Sequence, residues 1–307
     1  MRKEKELSNA ILFGAGASFG SNNTNVPPLG DDLFKALQKF NPPGWGSLSK
    51  DIEKEFLGDF EKGMTKLAEI NSHSMPILQR AMAAFFFNYQ PTMNNLYHVL
   101  AKRIKEHDWR GQLVTLNYER LLEVSLCHEG LQPVVDSTTL TKGQVELCLP
   151  HGCCHIFSKG VQASSHGVSI SGVGVTFDGD IEVISDPQQF NQKINNDAVP
   201  PVMSYFEPKK NTSSGVSFIK QQRQRWSQIA TNTENIAIIG IRVRENDSHI
   251  WDVLESTKSR IIYCGGEEAG SEFSAWAKKH GRSGDLVLAE FFSNEFDTIC
   301  AEVGICA

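Results

Sequence analysis

The chain has 307 residues, long enough for about two domains, and its 40% hydrophobic and 21% charged content is that of an ordinary globular protein. A formal net charge of −6 argues against a general binder of nucleic acid or anionic membranes, with one local basic candidate at Lys220, Arg223 and Arg225. No run reaches the roughly 20 apolar residues of a membrane span, and the charged Met1–Glu6 followed by only Ala10–Phe13 is no secretion signal, so a cytoplasmic protein without membrane or nucleic-acid partners is expected.

In chain order, a first strand is predicted at Ala10–Phe13, running into the glycine turn Gly14-Ala15-Gly16-Ala17-Ser18. After an Asn- and Pro-rich loop, Ser21–Pro28, a helix is predicted over Gly30–Phe40, with Asp31 and Asp32 in its first turn, where carboxylates suit the helix dipole. Asn41-Pro42-Pro43-Gly44 breaks the pattern, and helices follow at Lys50–Ile70, Met75–Tyr89 and Met93–His107. The strand pattern resumes at Gln112–Asn117, followed by a helix over Glu119–His128 and short strands at Pro133–Asp136 and Val145–Leu149. A Gly-, Ser- and Asn-rich stretch of mixed β pattern, including Gly167–Phe177 and Ile181–Ser185, leads to a helix near Ser217–Thr231. Strand signals at Ile236–Gly240, Arg260–Cys264 and Asp285–Ala289 complete the chain. Strands alternating with helices predict an α/β fold: a Rossmann-like parallel sheet with helices on both faces. The core is expected from 1–40 with 110–160 and 233–307, interrupted by a helical insertion at 41–109 and a mixed α/β insertion at 161–232.

Four segments carry candidate chemistry. In Gly14–Ser18, glycines let the backbone approach a ligand, and its N–H groups suit a phosphate; a glycine turn after a strand is as often only a turn. Thr115-Leu116-Asn117-Tyr118-Glu119 lies at a strand's carboxyl end, where Asn117 can orient a ribose hydroxyl or a water and Glu119 can accept a hydrogen bond; alternatively Asn117 caps the next helix. Leu149-Pro150-His151-Gly152 offers an imidazole with an ordinary pKa near 6.5, suited to general base work, although it is one of nine histidines. Ile236–Gly240 leads through Arg242 to Asp247-Ser248-His249-Ile250, where Arg242 and a helix N-terminus could face an anionic group, or Asp247 could serve as an N-cap only. The seven cysteines include no C-x-x-C pair, and adjacent Cys153 and Cys154 read as small buried residues poorly placed to chelate one ion, so no metal site is expected.

Taken in this order, Gly-Ala-Gly-Ala-Ser, an Asn followed two residues later by an acid, His-Gly, and strand–Gly before a polar loop, the set resembles the sirtuin family. It is most similar to the divergent sirtuin-like proteins of bacterial antiphage defence, which carry Asn-Tyr-Asp near Asn117-Tyr118-Glu119 and Asp-x-His-Ile at Asp247–Ile250. The resemblance covers about half the chain, as islands. It implies NAD as substrate: Gly14, Ala15, Gly16 and Ser18 at the diphosphate, Asn117 at the nicotinamide ribose or an attacking water, His151 as general base, and Glu119 among the cofactor-binding residues. It further implies Gly240, Arg242 and Asp247 beside phosphates and ribose, and Gly265 and Glu267 near the adenosine. The four-cysteine zinc module of deacylases is missing, as is their Gly-Ile-Pro-Asp-Phe-Arg after the glycine turn.

Without that acyl-lysine apparatus, the resemblance points to an NAD glycohydrolase releasing nicotinamide and ADP-ribose, an abortive-infection effector held inactive until triggered. Restraint is expected from homo-oligomerisation or a partner defence subunit, a HerA-type ATPase or a nucleotide-pyrophosphatase-like sensor. The alternatives are an NAD or ADP-ribose sensor without catalysis and a divergent protein deacylase. No G-x-G-x-x-G with a following acid supports an oxidoreductase.

Overall fold

A computed structural model describes residues 8–135, 139–160, 177–204, 214–244 and 247–305. The strands are β1 (Ser8–Phe13), β2 (Gln112–Thr115), β3 (Gln132–Val134), β4 (Gln144–Cys148), β5 (Ile156–Ser158), β6 (Ile181–Val183), β7 (Thr233–Ile239), β8 (Arg260–Cys264) and β9 (Leu286–Leu288). The helices of the first half are α1 (Ala15–Phe19), α2 (Gly30–Phe40), α3 (Lys50–Gly58), α4 (Phe60–Ile70), α5 (Met75–Phe87), α6 (Leu96–Glu106) and α7 (Leu121–His128). Those of the second half are α8 (Pro187–Asn196), α9 (Val216–Asn232), α10 (Ser248–Ser256), α11 (Gly266–Lys279) and α12 (Phe292–Glu302).

Seven strands form one parallel sheet in the order β3-β4-β2-β1-β7-β8-β9, and β5 and β6 pair antiparallel apart from it. This is the expected doubly covered α/β fold. The alternation along β1 shows why both faces are covered. Ile11 and Phe13 join a buried cluster with Tyr97 and Leu100 of α6 and Phe292 of α12, while Ala10 and Leu12 join another with Trp226 of α9 and Phe273 of α11. The run Ala10–Phe13, apolar at every position, must be packed on both sides, which a parallel sheet under helices offers.

From β1 the chain builds outward on one side through β2, and later returns to β1's other flank with β7. The carboxyl ends of β1 and β7 therefore flank the point where strand order reverses, the place where ligands of open α/β sheets enter.

The expected helix Lys50–Ile70 is two helices. At Asp59 the backbone turns extended (φ −164°), and its carboxylate accepts the N–H groups of Glu61 (2.8 Å) and Lys62 (3.1 Å), a helix N-cap in mid-pattern. Helix α8 was not predicted, although Asp186 capping Gln189 N (2.9 Å) and Pro187 in the first turn are ordinary start signals. Helices α2 to α6 do not stand apart from the sheet: one buried cluster runs from Phe34, Phe56 and Leu78 to Ile11 and Phe13. The β pattern at 167–176, and Asp136 of the expected third strand, lie outside the described residues. No described helix is long and apolar enough to cross a membrane.

Candidate functional site

The glycine turn is held against the end of β7 by its own backbone. Gly14 N donates to Ile239 O (2.9 Å), Gly16 N to Gly240 O (3.0 Å), and Gly240 N to Cys264 O (2.8 Å). Gly240 sits at φ +68°, and a Cβ there would stand 2.1 Å from Ala17 N; one at Gly16 would stand 2.9 Å from Gly240 Cα. The glycines thus serve close backbone approach at the switch point. Of the turn's N–H groups expected to face a diphosphate, those of Gly14 and Gly16 are taken up by Ile239 and Gly240 and that of Ala17 by Gly14 O (2.9 Å), while Ala15, at the mouth of the turn, is exposed.

Behind the turn lies a buried polar network. Asn117, just beyond the end of β2, donates through Nδ2 to Gly14 O (3.1 Å) and to Ser18 Oγ (2.8 Å). Ser18 Oγ donates to the Glu119 carboxylate and lies 2.9 Å from Tyr97 Oη of α6. The second oxygen of Glu119 accepts Leu121 N (2.7 Å), so Glu119, and not Asn117, meets the start of α7. Burial pushes the Glu119 carboxyl above its ordinary range, and its bonds to Ser18, Leu121 and Asn117 pull the other way. Gly14, Ser18, Asn117, Glu119 and Gly240 are thereby brought together.

His151 belongs to a neighbouring cluster. Its Nε2 lies 2.8 Å from Nε2 of His249 and 4.0 Å from Oδ1 of Asp247, and its ring stacks on Tyr118 with centroids 6.3 Å apart. Tyr118 Oη donates to Ser204 O (2.7 Å), and Arg223 donates to Ser204 Oγ (3.2 Å) and Pro150 O (3.4 Å). Burial, with the Asp247 and Glu61 charges, raises the Tyr118 pKa. Asp247 occupies the N-cap position of α10 without a side-chain capping bond. Asn117 and Tyr118 face opposite ways, one side chain into the glycine turn and the next toward His151, so a two-residue stretch of one strand end serves both clusters.

The remaining expected residues are more dispersed. Arg242 is exposed and pairs with Glu268 and Glu272 of α11, both at 2.8 Å. It lines a cleft of about 690 Å³ between α4 and the segment after β7, together with Glu61, Lys66 and Arg244. Gly265 precedes α11 at the carboxyl end of β8, and Glu267 is exposed in that helix's first turn. The basic trio is not a patch: Arg225 is paired with Glu146 (2.7 Å) and Arg223 is half-buried in the site. No role was predicted for Tyr97, Tyr118 or His249; His249 stood two residues beyond Asp247 in the quoted motif.

Cys153 and Cys154 are buried as expected, but in polar company. Cys153 Sγ lies 3.1 Å from His155 Nδ1 and donates to Tyr118 O (3.2 Å). Adjacency does not keep the sulfurs apart: a ligand atom from each of Cys153, Cys154 and His155 lies within 4.8 Å of the others. Burial and the nearby Glu119 push Glu123, on α7, up to about 8, and burial lowers His155 to about 3. Among the described residues two groups could ligate a metal, this one and His151–Asp247–His249; neither is a four-cysteine set.

No family model matches the chain, and no curated protein matches it in sequence. Solved structures match its fold. A mutant Sir2 homologue in complex with ADP-ribose aligns over 97% of this chain and 93% of its own, at 12% identity and a TM-score of 0.51. A mutant Sir2 homologue with 2'-O-acetyl ADP-ribose aligns over 97% and 92% at 12% identity (TM-score 0.48), and a Sir2 homologue–NAD complex over 85% and 78% at 14% identity (TM-score 0.42). On the first of these alignments, which spans nearly the whole of both chains, the protein has the sirtuin-like fold.

Proposed function

We propose that the chain binds NAD at the carboxyl edge of its sheet and hydrolyses the nicotinamide–ribose bond to nicotinamide and ADP-ribose. One observation carries the reading. Asn117, Ser18 and Glu119 form one buried network at the ends of β1 and β2 beside the β1–β7 switch point, and His151, after β4, stands in the neighbouring cluster that Tyr118 joins, on a fold whose structural neighbours include an ADP-ribose complex. Fold likeness alone names no activity; these side chains carry the chemistry.

The bond is a glycosidic one with a cationic leaving group, so no acid has to protonate the departing nitrogen. The site has to hold the ribose, exclude bulk water and direct one attacking water. Asn117 supplies a donor and acceptor for ribose or water, and His151 a base. Gly14 to Ser18, Gly240, Arg242 and Asp247 border the phosphates and ribose, with Gly265 and Glu267 toward the adenosine. The internal bonds of the Asn117 amide and of the Gly14 and Gly16 N–H groups must be exchanged for substrate. That favours a resting state with low turnover, as an effector that depletes its own cell's NAD requires. We assign the trigger to assembly or to a partner defence subunit. The same closed network suits a sensor that binds NAD or ADP-ribose without cleaving it.

The test is nicotinamide release from NAD by the purified chain, alone and with the proteins encoded beside it, followed by mass spectrometry. Release that falls at least about a hundredfold in Asn117→Ala and His151→Ala, the scale expected for loss of a catalytic group, supports the assignment. Full activity in both variants refutes it, and tight NAD binding without release selects the sensor.

A further inference from the structure

We propose that His151, Asp247 and His249 bind one divalent cation of the zinc class. They come from two separate parts of the chain, His151 from the loop after β4 and the other two from the start of α10. The two Nε2 atoms are 2.8 Å apart, His151 Nε2 is 4.0 Å from Asp247 Oδ1, and one donor atom of each residue lies within 4.8 Å of the other two. A point equidistant from three atoms so spaced lies about 2 Å from each, the length of a zinc–imidazole or zinc–carboxylate bond.

Chemistry narrows what stands at that point. Two ring nitrogens facing each other at 2.8 Å cannot both aim a lone pair at each other, nor both a proton. Either one ring donates its Nε2–H to the lone pair of the other, or both lone pairs face a metal ion. The nearby carboxylate suits a metal: His151 (5% exposed) and Asp247 (7%) are removed from water, and Asp247 offsets part of a dication's charge while the imidazoles supply neutral donors. Two imidazoles and a carboxylate also form a known zinc donor set that leaves a position for water. Among the described residues, Tyr118, whose hydroxyl donates to Ser204 O, and Arg223, whose guanidinium donates to Ser204 Oγ and Pro150 O, also interact electrostatically with Asp247.

One consequence rests on the NAD-cleaving reading: a His151 lone pair bound to metal cannot accept a proton, so the cation restrains the enzyme. The site itself needs no such premise. The experiment strips the full chain with a chelator, reloads it with zinc, and counts zinc per chain after desalting; cobalt in place of zinc reports the ligands by its spectrum. One zinc per chain is expected in the wild type and in Cys153→Ser. A loss of at least tenfold in affinity is expected in His249→Ala and Asp247→Asn, with thermal melts showing that each variant folds. Cobalt bound without a thiolate charge-transfer band supports the assignment. Zinc retained by His249→Ala but lost from Cys153→Ser, or no zinc retained by any form, overturns it, the latter leaving one histidine donating to the other. Nicotinamide release by the stripped protein is a separate readout, so failure there counts against the enzymatic reading and leaves the metal count intact.

Discussion

The hydroxyls of Tyr97 and Ser18 lie 2.9 Å apart, and through them α6 is bonded to the glycine turn at the end of β1. Both side chains are buried, and Ser18 Oγ also receives the Asn117 amide and donates to Glu119. A segment that the sequence marks only as helical thus supplies the fourth member of the site's polar network. Burial and the Glu119 charge raise the Tyr97 pKa, so the phenol stays protonated and holds its bond. Tyr97→Phe keeps the ring, which packs edge-on against Phe13, and removes only the hydroxyl. The expected loss is about 1–2 kcal/mol of stability, the cost of a buried hydrogen-bonding group left short of a partner. Denaturant unfolding measures it; an unchanged midpoint would show that the network closes without Tyr97.

Gly240 tests the close approach of the two strand ends. At φ +68°, with Ala17 N 2.1 Å from the position of a Cβ, Gly240→Ala must push apart β7 and the glycine turn. We expect a loss of about 3 kcal/mol or more, since strain and overlap act together. Gly143→Ala is the control, with φ +82° but nothing within 4 Å, so only the backbone cost of about 1 kcal/mol remains. Equal losses in the two variants would mean that the close approach of Gly240 to Gly16 and Ala17 contributes nothing beyond backbone conformation.

The parallel sheet and its order of motifs were legible because β1, β7 and β8 are continuous apolar runs ending in glycine or a polar turn, a pattern set by burial on both faces. The gathering of Ser18, Asn117 and Glu119 was legible because strand ends in such a sheet converge. Pairings that depend on side-chain direction were not. Tyr97 and His249 lie 79 residues from Ser18 and 98 from His151, and no local spacing encodes those contacts. The break at Asp59 was legible in principle, but Asp is common enough in helices that one capping carboxylate did not outweigh an apolar periodicity running on both sides of it.

Glu123 gives the protein a slope of stability with pH. Burial, aided by Glu119, raises its folded pKa to about 8, against an ordinary carboxyl value near 4.5 when unfolded. Between those values the folded state holds a proton that the unfolded state has lost, so stability falls as pH rises through this window. His155, lowered to about 3, acts oppositely, but only below its ordinary value of 6.5. From about pH 6.5 to 8 the Glu123 effect therefore stands alone of the two, at up to about 1 kcal/mol per pH unit. Glu123→Gln, which is neutral throughout, should flatten the dependence of melting temperature on pH in that interval. A variant with the wild-type slope would place the titration elsewhere.

Arg242 separates binding from stability. Its pairs with Glu268 and Glu272 are exposed, and ion pairs of that kind contribute under about 1 kcal/mol. Arg242→Ala should leave the melting temperature almost unchanged. If the cleft it lines receives the charged part of NAD, the guanidinium exchanges a glutamate for a phosphate on binding, and that exchange is lost in the variant. We expect KM for NAD to rise about tenfold, equivalent to about 1.4 kcal/mol of charge-assisted contact, with kcat near the wild-type value, since on that proposal Arg242 meets the phosphates and not the scissile bond. Glu272→Ala should act in the opposite sense or not at all, since it releases Arg242 from a competing carboxylate. Steady-state kinetics of nicotinamide release measure both, and an unchanged KM in Arg242→Ala would move the dinucleotide away from this cleft.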